Sequence, residues 1–138
     1  MLTEKDYCDY DTCVALKKLG YKEKTLAYYT SEGIFYWRRA YIYDVAIPDL
    51  AKSSNKELYK HVLDAVSLYE AQKWLREEKG IIVDVFVDDD SDTPITYNIY
   101  KDGKCVCHHH GKYWSVKEWS EALLEGIKEA IKLLKEEK

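Results

Sequence analysis

Between Ser67 and Ile82 the apolar positions Leu68, Ala71, Trp74 and Leu75 recur at helical spacing. Ser67 and Glu70 are spaced as a capping box, each able to satisfy a free backbone N–H of the other's turn. Gly80 suits the left-handed exit, and Ile81-Ile82-Val83 resumes as strand. One run therefore predicts a helix start, an apolar face, a helix stop and a strand entry. It carries no chemistry.

Upstream, Asp9 is placed to cap a first helix through Lys18, with Val14, Leu16 and Leu19 apolar and Gly20 at the exit. Thr25 to Tyr29 and Ile34 to Trp37 then flank Thr30-Ser31-Glu32-Gly33, a hairpin turn with glycine where a positive φ is tolerated. Tyr41 to Ile47 is expected to extend that sheet until Pro48 breaks it. From Pro48 to Val66 the pattern is weak. Ser53-Ser54-Asn55 marks a loop or cap, and Leu58, Val62 and Ala65 fit a short helix about as well as an extended segment, with a helical turn as the reading taken.

In the second half, Ile81, Val83, Val85 and Val87 fall on one face of a strand whose other face carries Asp84 and Asp88. Asp102-Gly103 between Ile95–Lys101 and Lys104–His110 is the strongest hairpin signal in the chain, so three antiparallel strands are expected. Ser115-Val116-Lys117-Glu118 is a second capping box, with Trp114 and Trp119 at the two positions of a hydrophobic staple. Val116, Trp119, Leu123, Ile127, Ala130, Ile131 and Leu134 then line one stripe of a long helix.

These elements predict an α+β fold: an antiparallel β-sheet covered by helices, in a single domain spanning residues 1–138, with a long C-terminal amphipathic helix. A capped helix, a lysine-rich end, a glycine and a strand occur at Asp9–Tyr21 and again at Ser67–Ile82. This weak α–β pseudo-repeat, 9–47 and 67–110, would correspond to two units sharing one sheet.

The start Leu2-Thr3-Glu4-Lys5-Asp6-Tyr7, the run Ala15 to Tyr21, the stretch Gln72-Lys73-Trp74-Leu75-Arg76-Glu77 and the ending Glu121 to Ala130 carry a resemblance. Together they are similar to a family of small uncharacterised proteins from gut anaerobic bacteria and their phages and prophages. The similarity covers most of the chain. It departs from the family's pattern between about Arg38 and Val66, where the usual Ala-Pro before the central helix stands as Ala65-Val66. The resemblance implies a setting, the bacterial cytoplasm and a mobile element, and no catalytic residue.

Composition narrows the class. With 138 residues, 46% hydrophobic and 33% charged, the chain matches an ordinary globular domain, and one this size buries roughly two thirds of its unfolded surface. A net charge of -4 argues against nonspecific nucleic-acid binding, which draws its affinity from cations neutralising phosphates. The four cysteines follow no apolar signal core, so reduced thiols in a cytoplasm are expected. No apolar window approaches a membrane span.

The sharpest candidate chemistry is Cys105-Val106-Cys107-His108-His109-His110, residue types that bind zinc or copper when they converge. A two-residue Asp-Gly loop pairs Tyr100 with Cys105, Asn98 with Cys107 and Thr96 with His109, all on one sheet face. On a straight strand Cys105 and His109 would then lie roughly 13 Å apart, too far to share one ion with Cys107. Asp88-Asp89-Asp90-Ser91-Asp92 opens like a calcium loop, but Thr93 stands where the glycine belongs and Ile99 where the bidentate glutamate belongs. A solvated acidic connection is the reading.

Tyrosine outnumbers phenylalanine 13 to 2, and aromatic residues concentrate between Tyr28 and Tyr43. Tyrosine buries a ring while keeping a polar tip, which suits both sheet surfaces and interfaces. Beside Arg38 and Arg39 the same rings could stack nucleic-acid bases. The chain has no phosphate-cradling glycine loop, no Gly-x-Ser-x-Gly elbow and no His-Glu-x-x-His. His61 and Asp64 are read as a helical surface pair.

The expectation is a non-enzymatic cytoplasmic interaction module of phage or prophage type. It would bind a protein partner, or itself, through an aromatic sheet surface that includes Tyr36, Trp37, Arg38 and Tyr41, with no cofactor and no membrane. Two alternatives stand beside it: a metal-binding or redox protein using Cys105, Cys107 and His109, and a nucleic-acid-binding regulator.

Overall fold

The computed structural model describes residues 2–37, 62–88, 90–107 and 112–136. The fold is α+β, built from antiparallel sheets and helices with a long amphipathic helix at the C-terminal end. The chain divides into two compact units, Tyr7–Ser67 and a second made of Met1–Asp6 with Leu68–Lys138. The expected strand over Tyr41 to Ile47 and the reading of 48–61 lie outside the described residues. Among the described residues no helix is long and apolar enough to cross a membrane.

In the first unit, helix α1 (Tyr10–Leu19) starts where a free backbone donor finds a partner: the Asp9 carboxylate accepts the Thr12 N–H at 2.9 Å. It stops at Gly20, whose φ of +111° lets Gly20 and Tyr21 donate back to the Lys17 and Leu16 carbonyls. Its buried face is Thr12, Cys13, Ala15 and Leu16, while Val14 and Leu19 are only half-buried.

Strands β1 (Ala27–Tyr29) and β2 (Phe35–Trp37) form the expected hairpin, paired Ala27 to Trp37, Tyr28 to Tyr36 and Tyr29 to Phe35. Gly33, at φ +82°, turns the chain between them. Strand β3 (Leu63–Ala65) pairs on the other side of β1, giving the order β2-β1-β3. The expected helical turn is therefore corrected at its end: Ala65 is in a strand. The alternation settles it, because Leu63 and Ala65 join Ala27 and Tyr29 on the buried face while Asp64 points the other way. The ladder continues past β3, with Tyr7 opposite Ser67 and the Cys8 N–H donating to the Val66 carbonyl at 2.8 Å.

In the second unit, helix α2 (Leu68–Lys79) buries Leu68, Ala71 and Leu75, and Gly80 at φ +64° passes the chain into β4 (Ile81–Val87). Strands β4, β5 (Ile95–Lys101) and β6 (Lys104–Cys107) form the expected antiparallel meander. Asp102 and Gly103 both take positive φ, 51° and 83°, matching the turn that this dipeptide favours. On β4, Ile81 and Val83 are buried, but Val87 at the far end is 65% exposed.

Helix α3 (Trp119–Glu136) buries Ala122, Leu123, Gly126, Ile127, Ala130 and Ile131, with Gly126 directly over Val83 and Tyr97. Val116 falls in a short 3-10 turn before the helix and is exposed, which removes it from the expected stripe. The expected Ser115–Glu118 capping box is present, with the Ser115 N–H donating to Glu118 Oε1 at 3.0 Å. Trp114 bridges to Ile95 through two backbone hydrogen bonds and sets its ring against Tyr97, 6.0 Å away.

Among the described residues the strands form two separate three-stranded sheets, not one shared sheet. The strand that follows α1 is central in its sheet, whereas the strand that follows α2 is at an edge. The sequence echo is confined to the helix, glycine and strand junction.

Candidate functional site

Successive strand residues point to opposite faces, and this divides the expected aromatic surface. Trp37 lies on the face with Ala27 and Tyr29, edge-on to Tyr7 at 5.4 Å and to Phe35 at 5.1 Å. Tyr36 lies on the opposite face, stacked on Tyr28 at 5.7 Å with the rings 23° apart. Both remain open to solvent, Tyr36 at 47% and Trp37 at 41%. Arg38 and Tyr41 lie outside the described residues.

On the outer face the cross-strand register places Tyr36, Tyr28 and Asp64 in one row over β2, β1 and β3. Thr25 Oγ1 lies 3.4 Å from Asp64 Oδ1 and donates to the Ala27 carbonyl at 2.6 Å. The row is thus two stacked phenols with a carboxylate at its end. Tyr28 was findable from the hairpin register; Asp64 was not, because its strand is too short to show a period.

The Cys105 and Cys107 expectation needs a correction of register. Tyr100 faces Cys105, but the ladder then shifts and Ile99, not Asn98, faces Cys107. Val106 is the extra residue of this β-bulge. The bulge turns Cys107 onto the face of Ile99, beside Tyr97 and Glu129, while Cys105 stays exposed on the other. Burial, then the Glu129 carboxylate, pushes the Cys107 thiol above its ordinary range. Burial raises the Tyr97 phenol too, with Cys107, Glu129 and Glu125 adding to it. His109 lies outside the described residues, and no cluster of three metal-ligating side chains occurs among those described.

Asp88 and Asp92 of the acidic connection are both exposed, and the Tyr113 hydroxyl donates to Asp88 Oδ2 at 3.2 Å. Elsewhere in the first unit, Cys13, Lys17, Tyr21, Lys22, Leu63, Asp64 and Val66 line a cavity of about 290 Å³. Comparison with protein-family models, curated proteins and solved structures found no match.

Proposed function

We propose that the protein is a non-enzymatic interaction module that binds a protein partner through the outer face of its first sheet. The observation that supports this reading is the stacked Tyr28 and Tyr36 pair, carried by a paired strand with Tyr36 open to solvent. Two preorganised rings with polar tips bury large apolar area at little entropic cost, which is what the central residues of an interface supply. Trp37, on the opposite face, lies outside this surface. The resemblance to phage and prophage proteins supports a cytoplasmic setting with a host or phage protein, or a second copy, as partner.

The test is capture of the tagged protein from its native bacterial host, during growth and after phage induction, beside the Tyr28→Ala/Tyr36→Ala variant. A partner enriched by the parent and weakened about 30-fold by the variant, corresponding to a loss of roughly 2 kcal/mol, supports the reading. Equal recovery by a variant that melts at the parent's temperature overturns it.

A further inference from the structure

We propose that Cys8 and Cys13 are an oxidisable thiol pair, which a small peroxide reaching Cys13 through the adjoining cavity converts into a disulfide across the start of α1. The proposal goes beyond the interaction reading and stands independently of it.

The pairing follows from the helix cap. With Asp9 as N-cap, Cys8 is the residue before the cap and Cys13 is the fourth in the helix, the two positions whose side chains meet across a helix start. Here both are cysteines, and both are buried, at 0% and 1% exposure. The Cys13 thiol lies 3.6 Å from the Cys8 carbonyl oxygen, to which it donates. The Val66 N–H donates to Cys13 Sγ at 3.4 Å, the Cys8 N–H to the Val66 carbonyl at 2.8 Å, and the Tyr29 hydroxyl to the Cys8 carbonyl at 2.7 Å. Helix α1 and strand β1, with Val66 just after β3, therefore hold the Cys8 backbone against the Cys13 thiol.

The cavity distinguishes them. Cys13 lines it and Cys8 does not, and about 290 Å³ is room for several molecules the size of hydrogen peroxide. Lys17, Lys22 and Asp64 line the same cavity, so the approach to Cys13 is polar and open to a small hydrophilic oxidant. The hydrogen bond with Cys13, then burial, holds the Cys8 thiol well above its ordinary range, so Cys8 is the resolving and not the attacking group.

In the reaction, Cys13 sulfur attacks one peroxide oxygen, the O–O bond breaks, and the departing hydroxide takes the thiol proton as water. The product is a sulfenic acid on Cys13. Cys8 sulfur then attacks Cys13 sulfur; the S–S bond forms, the S–O bond breaks, and hydroxide leaves with the Cys8 proton as a second water. Two electrons pass from the sulfurs to the peroxide. An external dithiol reverses the change.

The protein is treated with hydrogen peroxide, unfolded, alkylated and digested with trypsin. Cys8 and Cys13 share the peptide Asp6–Lys17, which has no internal lysine or arginine, and Cys105 and Cys107 fall in Cys105–Lys112. The expected result is an Asp6–Lys17 peptide lighter by two hydrogen atoms that has lost both alkylation sites and regains them after dithiothreitol. Full alkylation after treatment, or sulfinic acid on Cys13 with Cys8 still free, overturns the proposal. In Cys8→Ser the resolving sulfur is gone, and dimedone is expected to label Cys13 after peroxide. A folded Cys8→Ser variant without that label overturns the assignment of Cys13 as the attacking thiol.

Discussion

Gly126 of α3 lies against Val83 of β4: a methyl group built on Gly126 would overlap Val83 Cγ1 and reach 3.4 Å from the Tyr97 ring. The helix approaches the sheet at the distance that only a missing side chain permits. Alanine would gain about 1 kcal/mol of intrinsic helix preference over glycine. Overpacking a well-filled core costs typically ~1–3 kcal/mol, and here β4 backbone or the Val83 rotamer must also give. We expect Gly126→Ala to destabilise the protein by about 1–2 kcal/mol net, read as a lower denaturation midpoint at constant m-value. An unchanged or raised midpoint would show that the contact relaxes freely.

The Asp9 carboxylate holds the first turn of α1 at the point where Cys8 joins the sheet ladder. Replacing it with alanine leaves the Thr12 N–H without that acceptor. Asp9→Ala should cost about 1 kcal/mol in equilibrium unfolding and Asp9→Asn only a fraction of that, since an amide oxygen also caps. Equal effects of the two substitutions would place the role of Asp9 elsewhere.

Cys105 and Cys107 should differ in reactivity although one residue separates them. Cys105 is exposed, whereas burial and Glu129 keep Cys107 protonated to higher pH. Iodoacetamide at neutral pH should modify Cys105 first, as read by fragmentation of their common peptide. Glu129→Gln should narrow the gap by removing the charge that disfavours the Cys107 thiolate. Indistinguishable rates would mean that the bulge does not separate the two sulfurs in solution.

Glu118 gains its hydrogen bonds from Ser115 only when folded. The Ser115 backbone N–H, then its side chain, holds the Glu118 carboxyl below the ordinary range. A carboxyl depressed in the folded state stabilises above its unfolded pKa, and the contribution is lost as pH falls through the folded value. A carboxyl NMR titration should find Glu118 among the more acidic glutamates, and Ser115→Ala should move it part of the way back. Titration at the ordinary value in the parent protein would contradict the cap seen here.

The elements that were legible in the sequence are those whose determinants lie within one turn of each other. Asp9 reaches Thr12, Gly20 ends α1, Gly33 and Asp102-Gly103 turn the hairpins, and the repeat of apolar residues from Leu123 to Ile131 marks the face of α3. Each is set by a hydrogen bond or a dihedral preference that a few adjacent residues control.

Tertiary structure decided the rest. Leu63–Ala65 is a strand because β1, more than thirty residues earlier, offers it a free ladder and a buried face; three residues are too few to announce a period by themselves. The bulge at Val106 shifted Cys107 by one place and so to the other face, a change no local pattern encodes because a period-two strand has no means of marking an added residue. Tyr36 and Trp37, neighbours in the chain, were parted by the pleat, and Tyr36 was joined instead to Tyr28 and Asp64. Local sequence determined where helices and turns form; pairing between distant segments determined which side chains share a surface.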